Sequence, residues 1–222
     1  DNMPKLKRLK IGDRALVKNF RIKNPSLETL DVNCGVSVRE TVLSKQYLRS
    51  SGISDDNEEE IYLSDCPQLE YVRVTAPSLD EVPLSVVSDL PALKELVIQD
   101  AEVNINVRDD NDTDQLSASH TKVVLTENAL LTCTSHFMSR VNMLRIGRRS
   151  ELKGRFTEFP ALEHFEDAGS GFFAMGVPNM PNLKILNVTI GKDRMNNRAL
   201  ENIYTFMKQP RRSLIELYVT HS

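Results

Sequence analysis

Four carboxylates in one short stretch, Asp109, Asp110, Asp112 and Asp114, have the spacing in this chain that most suggests chemistry. Alternating carboxylates can converge on a hard cation such as calcium. The twelve-residue calcium loop needs glycine at its sixth place and glutamate at its last; counting from Asp109, those places hold Asp114 and His120. The match fails, and the run reads as a solvated loop, as does the acidic cluster from Asp55 to Glu60. Gly169-Ser-Gly171-Phe-Phe-Ala-Met-Gly176 has the composition of a phosphate cradle. It lacks the fixed glycine spacing and the Lys-Ser/Thr pair that phosphate binding needs, so its glycines are expected to permit tight turns. His120, His136, His164 and His221 are far apart, and none stands at ligand spacing from a cysteine or another histidine. Cys34, Cys66 and Cys133 form no CxxC pair and are expected to be small core or turn residues. No metal, cofactor or catalytic group is expected from these residues.

Two weaker signals remain. Asn111-Asp-Thr113 and Asn187-Val-Thr189 fit the glycosylation sequon, although Asn187 falls in the middle of an expected strand. Arg145, Arg148 and Arg149, with Arg140 and Arg155 nearby, make the notable basic cluster. It reads either as a solvated rim or as a contact for an acidic partner, where arginine is favoured.

The elements that would position such residues follow from a recurring phrase: Pro, a gap, Leu, two gaps, Leu, a gap, then Val or Ile. It reads PKLKRLKI from Pro4, PSLETLDV from Pro25, PQLEYVRV from Pro67, PALKELVI from Pro91 and PNLKILNV from Pro181. Degenerate copies start at Pro77, Ser139, Pro160 and Arg212. Pro4 and Pro25 are 21 residues apart, as are Ser139, Pro160 and Pro181 in succession. A fixed period in the twenties predicts stacked units in place of one globular core. Leu9 and Ile11 alternate as residues on one face of a strand do, and the proline suits the loop feeding that strand.

Each phrase is therefore expected to supply one short parallel strand, with the residues between the apolar ones facing out. Those outward positions are Arg8 and Lys10, Thr29 and Asp31, Tyr71 and Arg73, and Glu95 and Val97. Later units add Met143 and Arg145, His164 and Glu166, Ile185 and Asn187, and Glu216 and Tyr218. Tyrosine and arginine commonly anchor protein interfaces. The expected partner-binding set is Arg8, Lys10, Tyr71, Arg73, Glu95, Val97, Met143, Arg145, His164, Ile185 and Tyr218.

The return half of each unit is uneven. Val17 to Ile22 alternates like a second strand half a period along, and the same half-step separates Leu63, Val74 and Leu84. Arg198 to Met207 has helical spacing, and Ser85–Leu90 and Glu40–Leu48 are shorter helical candidates. Insert loops are expected near 50–60 and 109–120, with Lys122–Thr126 supplying a strand in the gap after Pro91.

The phrase resembles the leucine-rich repeat family across nearly the whole chain. The resemblance implies an α/β solenoid: a curved horseshoe with parallel strands on its concave face, a convex side of mixed helix and extended chain, and work done by binding other proteins. One departure is that the place of the family's regular asparagine is irregular here: Asn33 or nearby Cys34 fills it in one unit, and Thr75, Gln99 or Thr189 in others. The stretch from Met195 to Leu217 resembles F-box-associated repeats, which implies the substrate-recognition part of a ubiquitin-ligase adaptor. Phrases such as CPQLEYV, LPALKELVI and MPNLKILNV resemble those in the sensor part of plant-type immune receptors. The alternative is an extracellular surface or adhesion protein of two-strand repeats, favoured by the half-period steps.

Composition bounds the remainder. The 222 residues, 27% of them charged and 40% hydrophobic, are expected to form a single repeat array, with two domains joined near residue 115 as the alternative. A net charge of -3 gives no electrostatic reason to expect nucleic acid, and no apolar run is long enough to span a membrane. Three sparse cysteines suit a reducing, intracellular setting, cytoplasmic or nuclear. The chain opens inside a repeat and stops after a repeat strand, so a fragment of a longer protein is expected.

Overall fold

The computed structural model describes residues 3, 5–12, 20–33, 61–75, 84–87, 89–106, 120–154, 158–190, 196–209 and 213–221. The expected insert at 50–60, most of that at 109–120, the helical candidate at 40–48, and Cys34 lie outside these residues.

The repeated proline has a local cause. In each phrase the carbonyl of the residue before proline accepts the N–H of the leucine two residues after it. The bonds run from Leu27 to Asn24 (3.3 Å), Leu69 to Cys66 (3.1 Å), Leu93 to Leu90 (3.1 Å), Leu162 to Phe159 (3.3 Å) and Leu183 to Met180 (3.3 Å). This is a four-residue β-turn with proline second, where its fixed φ is preset and its missing N–H is not needed. The residue before the proline and the leucine that closes the turn are both buried in these five, so each of those turns is pinned at two points to the interior. The first copy makes the same bond, Leu6 to Met3 at 3.0 Å, with Met3 57% exposed. The chain then enters a strand already aimed across the stack.

Those strands are β1 Arg8–Ile11, β3 Thr29–Asn33, β5 Tyr71–Thr75, β7 Glu95–Gln99, β9 Thr121–Thr126, β11 Val141–Ile146, β13 His164–Asp167, β14 Ile185–Ile190 and β15 Glu216–His221. They form one nine-stranded sheet in chain order, parallel throughout. Between them run β2 Phe20–Lys23, β4 Ile61–Ser64, β6 Leu84–Val86, β8 Glu102–Ile105, β10 Leu130–Cys133 and β12 Glu151–Lys153. These make a second parallel sheet of six strands, also in chain order. The chain thus coils, alternating between a front and a back sheet. Among the described residues three helices lie in the later coils: α1 Ser135–Met138, α2 Phe172–Met175 and α3 Asn196–Lys208.

The core is the space between the layers, and it is laid down in rows. Registered front positions bring Leu30, Val72, Leu96, Val123, Leu144, Phe165 and Leu186 side by side, with Leu9 and Leu217 at the ends. Two residues on, Ile11, Val32, Val74, Ile98, Leu125, Ile146, Asp167 and Val188 form the next row, all buried. Val219 continues it at 45% exposure on the outermost strand. Leu63, Leu84, Val103 and Leu131 face them from the back sheet, with 0% exposure each.

Two expectations need correction. The helical candidate Ser85–Leu90 begins instead in β6, because Ser85 and Val86 continue the back strand from Leu84, whose half-period step matches its pairing with Ile61 and Val103. Of the degenerate phrase at Pro77 only Leu84 lies among the described residues, and it stands in the back sheet and not the front one. Of the return strand expected over Val17–Ile22, residues 20–22 fall in β2 and 17–19 lie outside the described residues; the strand expected at 122–126 and the helix over 198–207 match β9 and α3.

Candidate partner-binding face

All eleven expected binding residues lie on the outer face of the front sheet, in two rows. The first row, read across the strands, is Arg8, Thr29, Tyr71, Glu95, Lys122, Met143, His164, Ile185 and Glu216. The second is Lys10, Asp31, Arg73, Val97, Val124, Arg145, Glu166, Asn187 and Tyr218. Neighbouring strands in a sheet lie about 4.8 Å apart, so each row is a continuous strip of side chains. Tyr71 is 43% exposed and Tyr218 53%, whereas Val97, Met143 and Ile185 are half-buried among their neighbours.

Lys122 and Val124 are members that the proline phrase misses, because β9 has no proline turn before it. Their signal is the alternation Thr121-Lys-Val-Val-Leu-Thr126, buried on every second residue. A third row was also present in the phrase. The residue after the first leucine is Lys7, Glu28, Glu70, Lys94, Glu163 and Lys184 in six copies. Neighbours of opposite sign meet: Lys7 and Glu28 at 2.6 Å, Glu70 and Lys94 at 2.7 Å, Glu163 and Lys184 at 2.7 Å. The hydrogen bond from Lys94 raises its own pKa, and that from Lys184 lowers the Glu163 carboxyl's.

Ion pairs also thread the two outer rows. Lys10 meets Asp31 at 3.6 Å, Lys122 meets Glu95 at 2.8 Å, and the Arg145 Nε meets Glu166 at 3.3 Å. Tyr218 donates its hydroxyl to Glu216 at 3.1 Å, which raises the phenol's pKa. Arg8 and Arg73 are the arginines of these rows that form no ion pair among the described residues, although the register sets Asp31, paired with Lys10, beside Arg73.

The basic cluster read from the sequence does not converge. Arg145 faces out from β11, Arg148 and Arg149 sit exposed in the turn after it, and Arg155 lies outside the described residues. Arg140 is 6% exposed, donates to Asp89 at 2.8 Å and has the Phe137 ring 6.0 Å away. α1 precedes β11 where most units have the proline turn, and β11 carries a bulge between Val141 and Met143.

The remaining candidates resolve as structural parts. Gly169 and Gly171 have φ of 90° and 82°, the left-handed conformation that favours glycine, in a turn before α2. The buried Asp167 organises that turn. Its Oδ1 accepts the Gly169 N–H at 3.1 Å, the Ser170 N–H at 2.7 Å and the Ser170 hydroxyl at 2.7 Å. Burial nonetheless pushes its pKa up, outweighing those bonds. Cys66 and Cys133 are buried, and burial raises both thiols, that of Cys133 to about 12. His120 and His136 are exposed, and His120, just before β9, lies close enough to Glu163 to help lower that carboxyl's pKa. Among the described residues no three His, Cys, Asp or Glu side chains gather where a metal ion could be held. No helix among them is long and apolar enough to cross a membrane. Asn187 sits within β14, half-buried and flanked by Glu166 and Tyr218.

A shallow cavity of about 270 Å³ lies where β12 and α2 begin; Ile146, Leu152, Phe172 and Met175 supply its apolar wall. Comparison with protein-family models, with curated proteins and with solved structures finds no match for this chain, so its reading rests on the rows of side chains themselves.

Proposed function

We propose that this protein is a non-catalytic recognition module, a solenoid of leucine-rich-repeat type that binds a partner protein along the outer face of its front sheet. The observation that carries this is the pair of unbroken rows across nine strands, where exposed tyrosines and arginines alternate with half-buried Val97, Met143 and Ile185. An apolar and aromatic strip framed by charges is what interface cores and rims are made of. Rigid parallel strands hold such a strip without the entropy cost of ordering loops on binding. An intracellular adaptor or sensor role is the setting this reading favours.

The test is affinity capture of a partner by the protein and by two matched variants. One reverses the outer face (Arg73→Glu with Arg145→Glu), and the other makes an equal charge change on the back sheet (Lys23→Glu with Lys153→Glu). Loss of the partner with the first and retention with the second is expected. The opposite pattern places recognition on the back sheet and ends this reading.

The six back strands favour a second reading, an extracellular surface protein of two-strand coils. A glycan released from Asn111 or Asn187 of the protein taken from its source would select it.

A further inference from the structure

Opposite charges cancel over most of the front sheet's outer face, and they fail to cancel at one end. Six cations there are engaged by carboxylates: Lys7, Lys10, Lys94, Lys122, Arg145 and Lys184. Arg8 and Arg73 are not, among the described residues, and both are exposed. The register places Arg8, Thr29 and Tyr71 in one row and Lys10, Asp31 and Arg73 in the row beside it. The outer face of β1, β3 and β5 therefore carries three cations and one carboxylate. The neighbouring Glu95 of β7 is held by Lys122 at 2.8 Å, and Glu28 and Glu70 are held by Lys7 and Lys94.

From this we infer that the β1–β5 end of the outer face receives an acidic, extended segment of the partner protein. The inference rests on the outer face being the recognition surface. Two strand spacings of about 4.8 Å and two residues of about 3.3 Å separate the Cα positions of Arg8 and Arg73 by roughly 12 Å. An extended chain covers that distance in three or four residues, so two carboxylates at that separation can meet both guanidinium groups, each in a forked pair of hydrogen bonds. The exposed Tyr71 stands in line with Arg8 and two residues from Arg73. It offers a flat apolar contact to the residue between the two acids. Lys10 adds positive potential, partly screened by Asp31. Arg145, bound to Glu166 at 3.3 Å, is already occupied and is not part of this site.

The probe is a synthetic twelve-residue peptide with two glutamates four positions apart and leucine between them. Its control carries glutamine in both places. Titrated into the ¹⁵N-labelled protein, the acidic peptide is expected to shift the amides of Thr29, Tyr71 and Arg73. Affinity is expected to be at least tenfold greater than for the control, and to fall by about that factor in Arg8→Gln or Arg73→Gln. Both residues are exposed, and the amide spectrum itself reports whether each variant is folded. Equal affinity for the two peptides, or no shift at millimolar acidic peptide, overturns the acidic site. Shifts confined to β11–β15 also overturn it while leaving the recognition face standing. Shifts confined to the back sheet overturn both. A concentration-dependent mass that Arg73→Gln abolishes would assign these arginines to a second copy of the chain, which likewise ends the inference.

Discussion

Up to Lys153 the chain returns from most front strands through a back strand, and after Glu158 it returns through helices. The front sheet crosses this boundary without a break: β11, β13 and β14 pair in register on either side of it. The difference therefore lies in what backs the sheet. Parallel strands sit about 4.8 Å apart in both layers, so a coil made of two strands has the same pitch front and back. A helix with its side chains is about 10 Å across, so helical coils need more room behind than in front. Curvature is expected where helices back the sheet, between β13 and β15, and little of it between β1 and β11. The two regions also fill their interiors differently. The strand-backed part uses aliphatic rows. The helix-backed part uses rings: Phe165, Phe172, Phe173 and Phe206 lie in contact pairs with centroids 5.2–6.1 Å apart, two of the four pairs edge to face and two tilted.

The sharpest way to separate the regions is to remove the ring they share least. Phe173 is 1% exposed and touches Phe165 of the front sheet and Phe206 of α3. Phe173→Ala is expected to cost about 3–5 kcal/mol in denaturant unfolding, because it removes a buried ring and leaves a cavity in its place. In a stacked chain, stability is a sum over units and their contacts. Hydrogen exchange should therefore accelerate in β13, β14, β15 and α3 while β3–β10 keep their protection. Uniform acceleration would mean that the two regions open as one.

The strand-backed part has its own point of close approach. A Cβ on Gly147 would lie 2.8 Å from the Leu125 carbonyl oxygen, and the Gly147 N–H donates to that same oxygen at 2.7 Å. Gly147→Ala is expected to cost about 1–3 kcal/mol through forced separation of β9 and β11. Exchange in β9, β10 and β11 should rise, with α3 spared. A change in α3 alone would contradict this assignment.

How much of this could be read from the chain follows from which forces are local. The proline turn is a four-residue event, so its phrase marks β1, β3, β5, β7, β13 and β14 directly. The two outer rows followed, because burial alternates within each strand. β9 was visible only as alternation, since no turn residue announces it. The back layer was harder to read. Leu84-Ser-Val86 is too short to distinguish strand from helix by periodicity, and its pairing with Leu63 and Val103 decides the matter from afar. Ion pairing was partly visible, in the Lys and Glu that follow the first leucine. That Arg145 would be occupied and Arg73 free depends on which unit stacks beside which, and no single phrase carries that information.

Asp167 marks the boundary between the regions. It occupies the row otherwise held by Ile146 and Val188, and its three hydrogen bonds turn the chain into the Gly169–Gly171 segment that starts α2. Asp167→Ala leaves three donors without an acceptor and is expected to cost about 1–3 kcal/mol. Asp167→Asn keeps an acceptor and removes the buried charge. Burial raises the carboxyl's pKa in the folded state, so the folded state binds the proton more tightly than the unfolded one does. The stabilisation from that proton is complete below the unfolded pKa of about 3.9 and is lost as pH rises through the raised value. The asparagine variant should therefore be more stable than the parent at pH 7, by a margin that closes as pH falls toward 4. A less stable asparagine variant at pH 7 would show that the charged hydrogen bonds outweigh the cost of burying the charge.

The smallest effect provides an internal reporter. The cysteines are Cys34, Cys66 and Cys133, so every thiol precedes the helix-backed region. Cys66 donates its thiol to the Ser64 carbonyl at 3.3 Å, and Cys133, at the end of β10, is pushed up to about 12 by burial. Thiolate is the reactive form, so iodoacetamide at pH 8 should leave Cys66 and Cys133 unmodified in the folded protein and label them once it is denatured. Peptide mapping keeps their signal apart from that of Cys34. The same labelling on Phe173→Ala should remain as slow as in the parent, because the opening it causes is confined to coils that hold no thiol. Faster labelling of Cys133 but not Cys66 would place the boundary of the opened unit at α1, one coil earlier than the change from strand to helix suggests. Faster labelling of both would show that the front sheet, continuous across the boundary, couples the two regions more strongly than their different backing separates them.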